Sequence, residues 1–234
     1  MSIYTLSDLH LAFGVDKPMD IFGYGWENYM ERIETNWKNT VSPTDTVIIG
    51  GDISWGTYLE DIKPDFDFLE SLPGRKILLK GNHDYWWESL TKLRRFSDEM
   101  GYKTIEFLHN TSVIAENTAI CGTRGWTDKS ADNFKTDDEK IYSRELGRME
   151  LSLCDGIKHN PERIIAVLHY PPITKDKTIN EDYMDLFIKY DVSTCIYGHL
   201  HSASFRNAVE GVINGVEFRL VSADYLRFLP QKLT

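Results

Sequence analysis

Side chains that can bind metal ions recur in this 234-residue sequence where short apolar runs end. Five such runs are followed directly by oxygen or nitrogen ligands, which are Asp8 and His10, Asp52, Asn82 and His83, His169, and His199 and His201. Carboxylate, amide and imidazole groups without thiolates suit divalent Mn, Fe, Zn, Ni or Co. Five of the seven histidines belong to this set, which random placement would seldom produce. The pattern predicts a metal centre.

The number of candidate ligands exceeds what one ion needs. A zinc ion takes about four protein ligands in a structural site, and three plus water in a catalytic one. The surplus therefore indicates two divalent transition-metal ions that share one carboxylate. Two ions about 3.5–4 Å apart can hold a hydroxide between them and clamp the oxygens of an in-line displacement at phosphorus.

Buried strands must bring these side chains together. The apolar runs at residues 3–6, 46–49, 77–79, 164–168 and 194–197 are typical of buried strands, and apolar residues at helical spacing separate them. Strands that alternate with helices indicate an α/β fold, and the length favours a single domain over residues 1–234. Open α/β sheets place ligands at the carboxyl ends of their strands, where these residues stand.

Four local patterns complete the predicted elements. Pro64 lies within a helical stripe that begins at Leu59, so we expect a kinked or restarted helix there. Residues 128–140 carry five acidic and three basic side chains and read as an exposed loop. Asn214-Gly215 predicts a two-residue hairpin turn. His109 and His159 follow no predicted strand, and we interpret them as ordinary structural or surface residues.

Composition restricts the partners and the compartment. A net charge of −10 argues against long nucleic acid and anionic membranes, although bound metal would still admit an anionic substrate. The three cysteines, Cys121, Cys154 and Cys195, have no metal-type spacing and favour buried thiols in a reducing compartment. No apolar run has membrane-span length, and because the first strand begins almost at residue 1 we expect no signal peptide. We expect a cytoplasmic protein.

The ordered motifs resemble those of one family. D-x-H at residues 8–10, G-D at 51–52, G-N-H-D at 81–84, a histidine at 169 and G-H-x-H at 198–201 resemble the calcineurin-like metallophosphoesterase superfamily. The resemblance covers residues 8–201, and as an ordered set it is highly specific. It implies an α/β fold of two packed mixed β-sheets flanked by helices, a four-layer αββα sandwich with the dimetal site at the strand ends.

The same resemblance implies a role for each site residue. One ion would be held by Asp8, His10 and His201, and the other by Asn82, His169 and His199. Asp52 would bridge the two ions. His83 would not bind metal but would face the phosphate, either as the acid for the leaving group or as a stabiliser of the transition state.

One segment departs from the protein Ser/Thr phosphatase branch. Members of that branch carry the motif G-D-x-V-D-R-G at this point, whereas residues 51–56 read G-D-I-S-W-G. Trp55 replaces the aspartate that orients the catalytic histidine in that branch, and the following arginine is missing. Phosphoprotein hydrolysis is therefore not favoured, and the partner of His83 stays open, with Asp84 as the adjacent candidate.

Three functions follow from these observations. The main one is hydrolysis of a small phosphate ester, with monoester or diester left open. The alternative enzyme is a phosphodiesterase acting on cyclic nucleotides or nucleic-acid ends, and the non-enzymatic alternative is a protein-binding scaffold. The oligomeric state has no signature in the sequence.

Two further segments carry alternatives near the site. Arg124, close to two glycines, can bind a substrate phosphate through its fork of donors or serve as a surface salt-bridge partner. The loop at residues 12–25, with Phe22 and Tyr24, can form a wall over the site and influence substrate choice, or can pack on the edge of the core.

Overall fold

A computed structural model of the chain describes residues 1–17 and 19–234, without the side chains of Phe22 and Tyr24. In this described part the helices are α1 (Tyr29–Thr40), α2 (Lys63–Ser71), α3 (Leu90–Met100), α4 (Thr136–Ile157) and α5 (Glu181–Lys189). The strands are β1 (Ile3–Thr5), β2 (Thr46–Ile49), β3 (Arg75–Leu79), β4 (Ile105–Leu108), β5 (Ser112–Ala115), β6 (Thr118–Thr123), β7 (Arg163–Leu168), β8 (Thr194–Tyr197), β9 (Gly211–Ile213), β10 (Val216–Leu220) and β11 (Gln231–Lys232). Short 3₁₀ turns occupy Met19–Phe22, Tyr24–Trp26 and Ser202–Asn207.

The strands form two mixed sheets. The first has the order β11-β1-β2-β3-β4, in which β1 to β4 are parallel and β11 is antiparallel to β1. The second has the order β5-β6-β7-β8-β10-β9, with four parallel central strands and an antiparallel strand at each edge. The parallel strands of each sheet therefore end at one common edge.

Three apolar layers hold the elements together. Successive residues of a strand face opposite sides of the sheet, so Val47 and Ile49 pack against α1, α2 and α3 while Ile48 packs between the sheets. Ile165 and Val167 meet Ile48 from the second sheet. The far side of that sheet packs against α4 and α5. The predicted four-layer αββα sandwich is confirmed.

The two sheets are joined where their parallel strands end. Ser7, just after β1, forms a parallel bridge with Ser222, just after β10. Its N–H donates to Val221 O at 2.9 Å, and its carbonyl accepts from Ala223 N at 2.8 Å. This contact fixes the strand ends of the first sheet relative to those of the second.

Two local predictions are wrong. Pro64 neither kinks nor restarts a helix, because it lies in the first turn of α2, where its missing N–H costs no helical hydrogen bond. Residues 128–140 are not one exposed loop, because α4 begins at Thr136 and Asp128 is buried against Asn180. Three acidic residues in the first turn of α4 complement the positive end of the helix dipole, so a polar stretch is helical here.

Two other predictions have different outcomes. The hairpin turn is confirmed, since Asn214 and Gly215 connect β9 to β10 with φ values of 50° and 87°. The expectation that His109 follows no strand is wrong, because this residue comes directly after β4, where it lines a cavity described below. The interpretation of His109 as an ordinary structural residue stays a prediction. His159 is exposed, as expected of a surface residue. None of the helices in the described ranges is both long and apolar enough to cross a membrane.

Candidate active site

The structure brings the predicted ligand side chains together at the edge where the parallel strands end. They follow β1, β2 and β3 of the first sheet, and β7 and β8 of the second. They come from five turns that belong to both sheets, so the site exists only when both sheets are assembled. The joining contact between the ends of β1 and β10 holds the two halves of the site in register.

One group of ligand atoms is formed by Asp8, His10 and His201, all within 4.8 Å of one another. His10 Nε2 lies 3.4 Å from His201 Nε2, which is 3.5 Å from Asp8 Oδ1. The other ring nitrogen of His201 donates to Asp224 Oδ1 at 2.9 Å. This hydrogen bond directs Nε2 toward the group, as carboxylates behind metal-binding histidines usually do.

A second group is centred on Asn82. Its Oδ1 lies 2.6 Å from His169 Nε2 and 2.9 Å from His199 Nδ1. The ring of His169 is oriented from behind, because Nδ1 donates to Gly50 O at 3.1 Å. The three side chains present one oxygen and two nitrogens to a common point.

Asp52 lies between the two groups. Its Oδ1 is 3.5 Å from His169 Nε2, and its Oδ2 is 3.8 Å from His10 Nε2. Its Oδ1 also accepts the backbone N–H of His83 at 2.8 Å. One carboxylate therefore has an oxygen within 4 Å of a histidine nitrogen in each group, the placement that a ligand shared by two ions would need.

The protonation states suit metal binding. Burial lowers the pKa of His10, that of His169 to about 3 and that of His199 to about 4, so these imidazoles are neutral at physiological pH. Neutral imidazole is the form that binds metal. His201 differs, because burial is outweighed by its hydrogen bonds to Asp224 and Asp8, which raise its pKa to about 10. Metal binding at this ring would release a proton.

The charges of the site's carboxylates also favour the binding of cations. Burial raises the pKa of Asp52, and the neighbouring Asp84 and Asp8 raise it further. Burial acts in the same direction on Asp8, but the hydrogen bond and charge of His201 outweigh it and lower the pKa. Divalent ions among these groups would remove the repulsion between them. The donor set therefore fits a dimetal centre.

Asp84 holds the loops after β2 and β3. Its buried carboxylate accepts the backbone N–H groups of Gly81 at 2.7 Å, Ile53 at 2.8 Å, Asp52 at 2.9 Å and Ser54 at 3.3 Å. These bonds use both of its oxygens. Asp84 is therefore not the partner that orients His83.

His83 is oriented by an aromatic contact instead. Its half-buried ring lies 4.7 Å from the ring of Trp55, which stacks on His10 at 4.8 Å. Within the described residues, no side chain forms a hydrogen bond with the His83 ring. Burial, then the charge of Lys17, lowers the pKa of His83. Trp55, which replaces the second aspartate of the phosphatase branch, thus occupies the place next to the imidazole.

The loop at residues 12–25 reaches this aromatic contact. Lys17 Nζ lies 4.6 Å from the centre of the Trp55 ring, and Trp55 Nε1 lies 3.1 Å from Met19 Sδ. The prediction for Phe22 and Tyr24 falls on side chains outside the described residues. The described part of the loop contacts the residue that packs on His83, so this part is near the site.

Arg124 is placed beside the site by its backbone. Its carbonyl accepts from His169 N at 3.1 Å and from Tyr170 N at 2.9 Å. Its guanidinium lies 4.6 Å over the ring of Trp126 and 3.9 Å from Glu145 Oε1. The side chain is partly buried, so it is not a simple surface salt-bridge partner. Its role toward substrate stays a prediction.

Sequence reasoning missed one residue of the site. Asp224, which orients His201, lies after β10 near the end of the chain. β10 alternates apolar and charged residues, so a search for continuous apolar runs passes over it. Asp224 also lies four residues beyond the end of the strand, and no signal of the kind used for the other ligands points to it.

Two solved structures are similar to this chain along nearly its whole length. One is a protein of unknown function from Aquifex aeolicus, with 16% identity and a TM-score of 0.52 over 99% of this chain and 95% of that one. The other is the phosphopantetheinyl hydrolase from Mycobacterium tuberculosis, with 15% identity and a TM-score of 0.61 over the same shares. At these identities the likeness shows the fold alone. No curated protein matches the sequence.

The family follows from the sequence itself. The family model described as calcineurin-like phosphoesterase matches residues 1–203, which include every predicted ligand. The chain belongs to the calcineurin-like phosphoesterase family and is a dimetal, metal-dependent phosphoester hydrolase.

Proposed function

We propose that the protein hydrolyses a small organic phosphate ester at a dimetal centre. The observation that carries this proposal is the position of Asp52 between the two groups of ligands, with one oxygen near His169 and the other near His10. We assign Asp8, His10 and His201 to one ion and Asn82, His169 and His199 to the other. Two bound divalent ions would polarise the phosphoryl group and lower the pKa of water.

The residues around the ligands keep the site in its binding geometry. Asp224 and the carbonyl of Gly50 each accept a proton from one histidine ring and so direct the opposite nitrogen into the site. The Asp84 carboxylate fixes the two loops that carry Asp52 and Asn82. A metal ion would therefore meet ligands that are already in place.

We assign His83 a catalytic role toward the substrate. Its ring lies 5.8 Å from the ring of His10 and is held against Trp55, so it borders the ligand groups without belonging to them. A half-buried imidazole can donate a proton to the departing oxygen or a hydrogen bond to the phosphoryl group. His83 therefore acts in either case on the substrate and not on the metal.

A second candidate activity is hydrolysis of a phosphodiester, including cyclic nucleotides and nucleic-acid ends. A cavity of about 360 Å³ borders His199 and is lined by the rings of Trp126 and Tyr170. Such a surface suits a second organic group on the phosphate. The net charge still disfavours long nucleic acid. The scaffold alternative has no support in a site that retains all seven ligand side chains.

The test is a hydrolysis screen of the protein reconstituted with Mn²⁺, Zn²⁺, Fe²⁺, Co²⁺ or Ni²⁺. Alkyl and aryl monoesters, diesters, cyclic nucleotides and a phosphopantetheine ester are compared side by side. We expect turnover that a chelator abolishes and that Mn²⁺ restores. His201→Ala should lose it, whereas the exposed His159→Ala should match the wild type. Inactivity toward the whole panel with every metal would refute the proposal.

Two further features of the proposal rest on the sequence. Cys121 and Cys195 are buried and unpaired, which supports a reducing, cytoplasmic environment. We also propose that residues 1–234 form a single catalytic domain. The resistance of the intact chain to limited proteolysis would test this unit.

A further inference from the structure

A cavity rich in basic side chains lies beside the proposed metal centre. It has a volume of about 240 Å³ and lies where the ends of β3, β4 and β6 meet α4. Four cationic side chains line it, namely Lys80, Arg124, Arg144 and Arg148. We call this space the cationic cavity. Its charge contrasts with the net charge of −10 of the chain.

One buried carboxylate faces three of these cations. Glu145 accepts a hydrogen bond from Arg148 Nη1 at 2.7 Å. The nearest nitrogens of Arg124 and Arg144 lie 3.9 Å from the same oxygen, beyond hydrogen-bonding distance. Glu145 also accepts from the Thr123 hydroxyl. Each oxygen of the carboxylate thus accepts one hydrogen bond. Within the described residues the side chains of Arg124 and Arg144 donate no hydrogen bond, so both guanidiniums retain free donors.

The other ionisable groups of the lining do not cancel this surplus. Glu88 pairs outside the cavity, with Lys92 Nζ at 3.1 Å. Burial, then the charge of Arg148, lowers the pKa of His109, so this ring adds no positive charge at neutral pH. Four cations against one fully buried carboxylate leave a net positive cavity. A dense group of cations of this kind attracts an anion.

The cationic cavity is adjacent to the metal ligands. Lys80 directly precedes the Gly81-Asn82 turn. The carbonyl of Arg124 accepts a hydrogen bond from the backbone N–H of His169, and the Arg124 guanidinium lies 4.6 Å from the centre of the Trp126 ring. Two residues of the cavity are thus connected through the backbone to the turns that carry Asn82 and His169.

We propose that the cationic cavity binds a second phosphate group of the substrate, so that the preferred substrate is an organic ester with two phosphates. This inference rests on the proposed function. A guanidinium offers paired donors that match the oxygens of a phosphate, and Arg124 and Arg144 have donors to spare. The buried Glu145 holds Arg148 at the wall of the cavity, and Lys80 adds a point charge near the metal centre.

The first experiment measures binding without catalysis. Metal-free protein is titrated calorimetrically with inorganic phosphate, so that no metal ion can bind the phosphate. Arg144→Gln should weaken binding by about three- to tenfold, as expected for one partly exposed charged contact. Arg163→Gln removes the same charge at the exposed start of β7, the opposite end of the sheet, and should bind like the wild type. Absence of phosphate binding, or equal binding by all three proteins, would overturn the proposal.

The second experiment asks whether the bound group belongs to the substrate. The reconstituted enzyme is given alkyl monophosphates and α,ω-bisphosphates of matched chain length, with short to long spacers. We expect a higher kcat/KM for the bisphosphate at one range of spacers, and a smaller preference in Arg144→Gln but not in Arg163→Gln. Phosphate binding without any such preference would overturn the substrate assignment. Hydrolysis of monoesters alone would keep the proposed function, whereas no hydrolysis at all would refute that function.

Discussion

Replacing Asp52 by asparagine should change the stability of the protein in opposite directions with and without metal. In the structure Oδ1 accepts the N–H of His83 at 2.8 Å, a bond that an asparagine oxygen can keep. Oδ2 lies 3.8 Å from His10 Nε2, beyond hydrogen-bonding distance. An amide nitrogen can therefore replace Oδ2 without removing a hydrogen bond of the protein.

The metal-free variant should be more stable than the wild type. Burial and the neighbouring carboxyl groups of Asp84 and Asp8 raise the pKa of Asp52, so its charged form is unfavourable in the folded state. Stabilising substitutions commonly contribute about 0.5–2 kcal/mol. For a chain of this size that corresponds to a rise in Tm of roughly 1–8 °C.

Metal should reverse this order. An ion present at 100 times its Kd stabilises the folded state by about 2.7 kcal/mol. If the loss of the shared carboxylate weakens metal binding tenfold to a hundredfold, the same ion concentration stabilises the folded state by only about 1.4 to 0.4 kcal/mol. With Asp52 as the proposed ligand of both ions, the loss applies twice, and the loaded variant should be less stable than the loaded wild type.

The assay is urea and thermal unfolding of each protein in chelator and in Mn²⁺. Asp185→Asn provides the matched control, because Asp185 is exposed on α5 and should affect neither condition. A purely structural Asp52 would make the variant less stable in both conditions. That result, or an unchanged response to Mn²⁺, would refute the reasoning.

Four further outcomes follow from the structure. Metal analysis after reconstitution with Mn²⁺ should give two ions per chain, and saturation at one would exclude the dimetal assignment. His83→Ala should keep both ions and lower the hydrolysis rate of an alkyl ester by about 10²–10⁴-fold. The rate with a nitrophenyl ester should fall far less, because nitrophenolate leaves without a proton. Equal losses of rate on the two esters would assign His83 to charge stabilisation. Trp55→Ala should lower kcat with metal content unchanged, whereas Trp55→Phe should retain most activity; equal rates would show that the ring does not position His83. Burial lowers the pKa of Lys76 to about 8, so with rising pH the folded state loses this proton before the unfolded chain does. From pH 8 to 10 the free energy of unfolding of the wild type, measured in urea, should therefore rise by about 1–2 kcal/mol relative to that of Lys76→Met. Parallel pH profiles of the two proteins would contradict this.

The site was readable in the sequence because its ligands follow buried parallel strands. Such strands are short continuous apolar runs, and the five predicted runs lie at β1, β2, β3, β7 and β8. Once such strands pair in parallel, their carboxyl ends must lie at the same edge of the sheet, so the sequence pattern alone predicts that the ligands are close together. The sequence could not supply the distances between ligands, which depend on how the two sheets face one another. The ligand roles therefore stay predictions that the geometry supports.

The start of α4 could not be predicted from apolar periodicity. Its first turn contains only polar residues, and the apolar stripe begins at Tyr142. The helix is favoured there by acidic side chains at its positive end and by Asp138, which accepts the N–H of Lys135 at 2.8 Å. Both effects are local electrostatics that a search for apolar spacing does not detect.

The cationic cavity could not be predicted from the sequence, for a different reason. Lys80, Arg124 and Arg144 belong to three elements that are distant in sequence, and Arg124 alone can be read as a salt-bridge partner. His109 follows β4, whose exposed Glu106 interrupts the apolar run that marks the other strands. Only the packing of α4 against β6 brings these side chains to one space.

The backbone of the site explains why polar residues mark the strand ends so clearly. Asp8, His10, Asp52 and His199 all have left-handed backbone conformations, with φ between 48° and 71°. This conformation costs about 1–2 kcal/mol for most residues, and Asp and His are among the side chains that tolerate it best. The tight turns that aim these groups at one point thus favour the same residue types that bind metal. An apolar β-branched residue at such a position would strain the turn and supply no ligand. Local strain and buried carboxylates both make the metal-free site costly, and bound ions would offset only the second. A stabilised metal-free Asp52→Asn protein is therefore expected to keep the left-handed turns, since it removes charge and leaves the backbone unchanged.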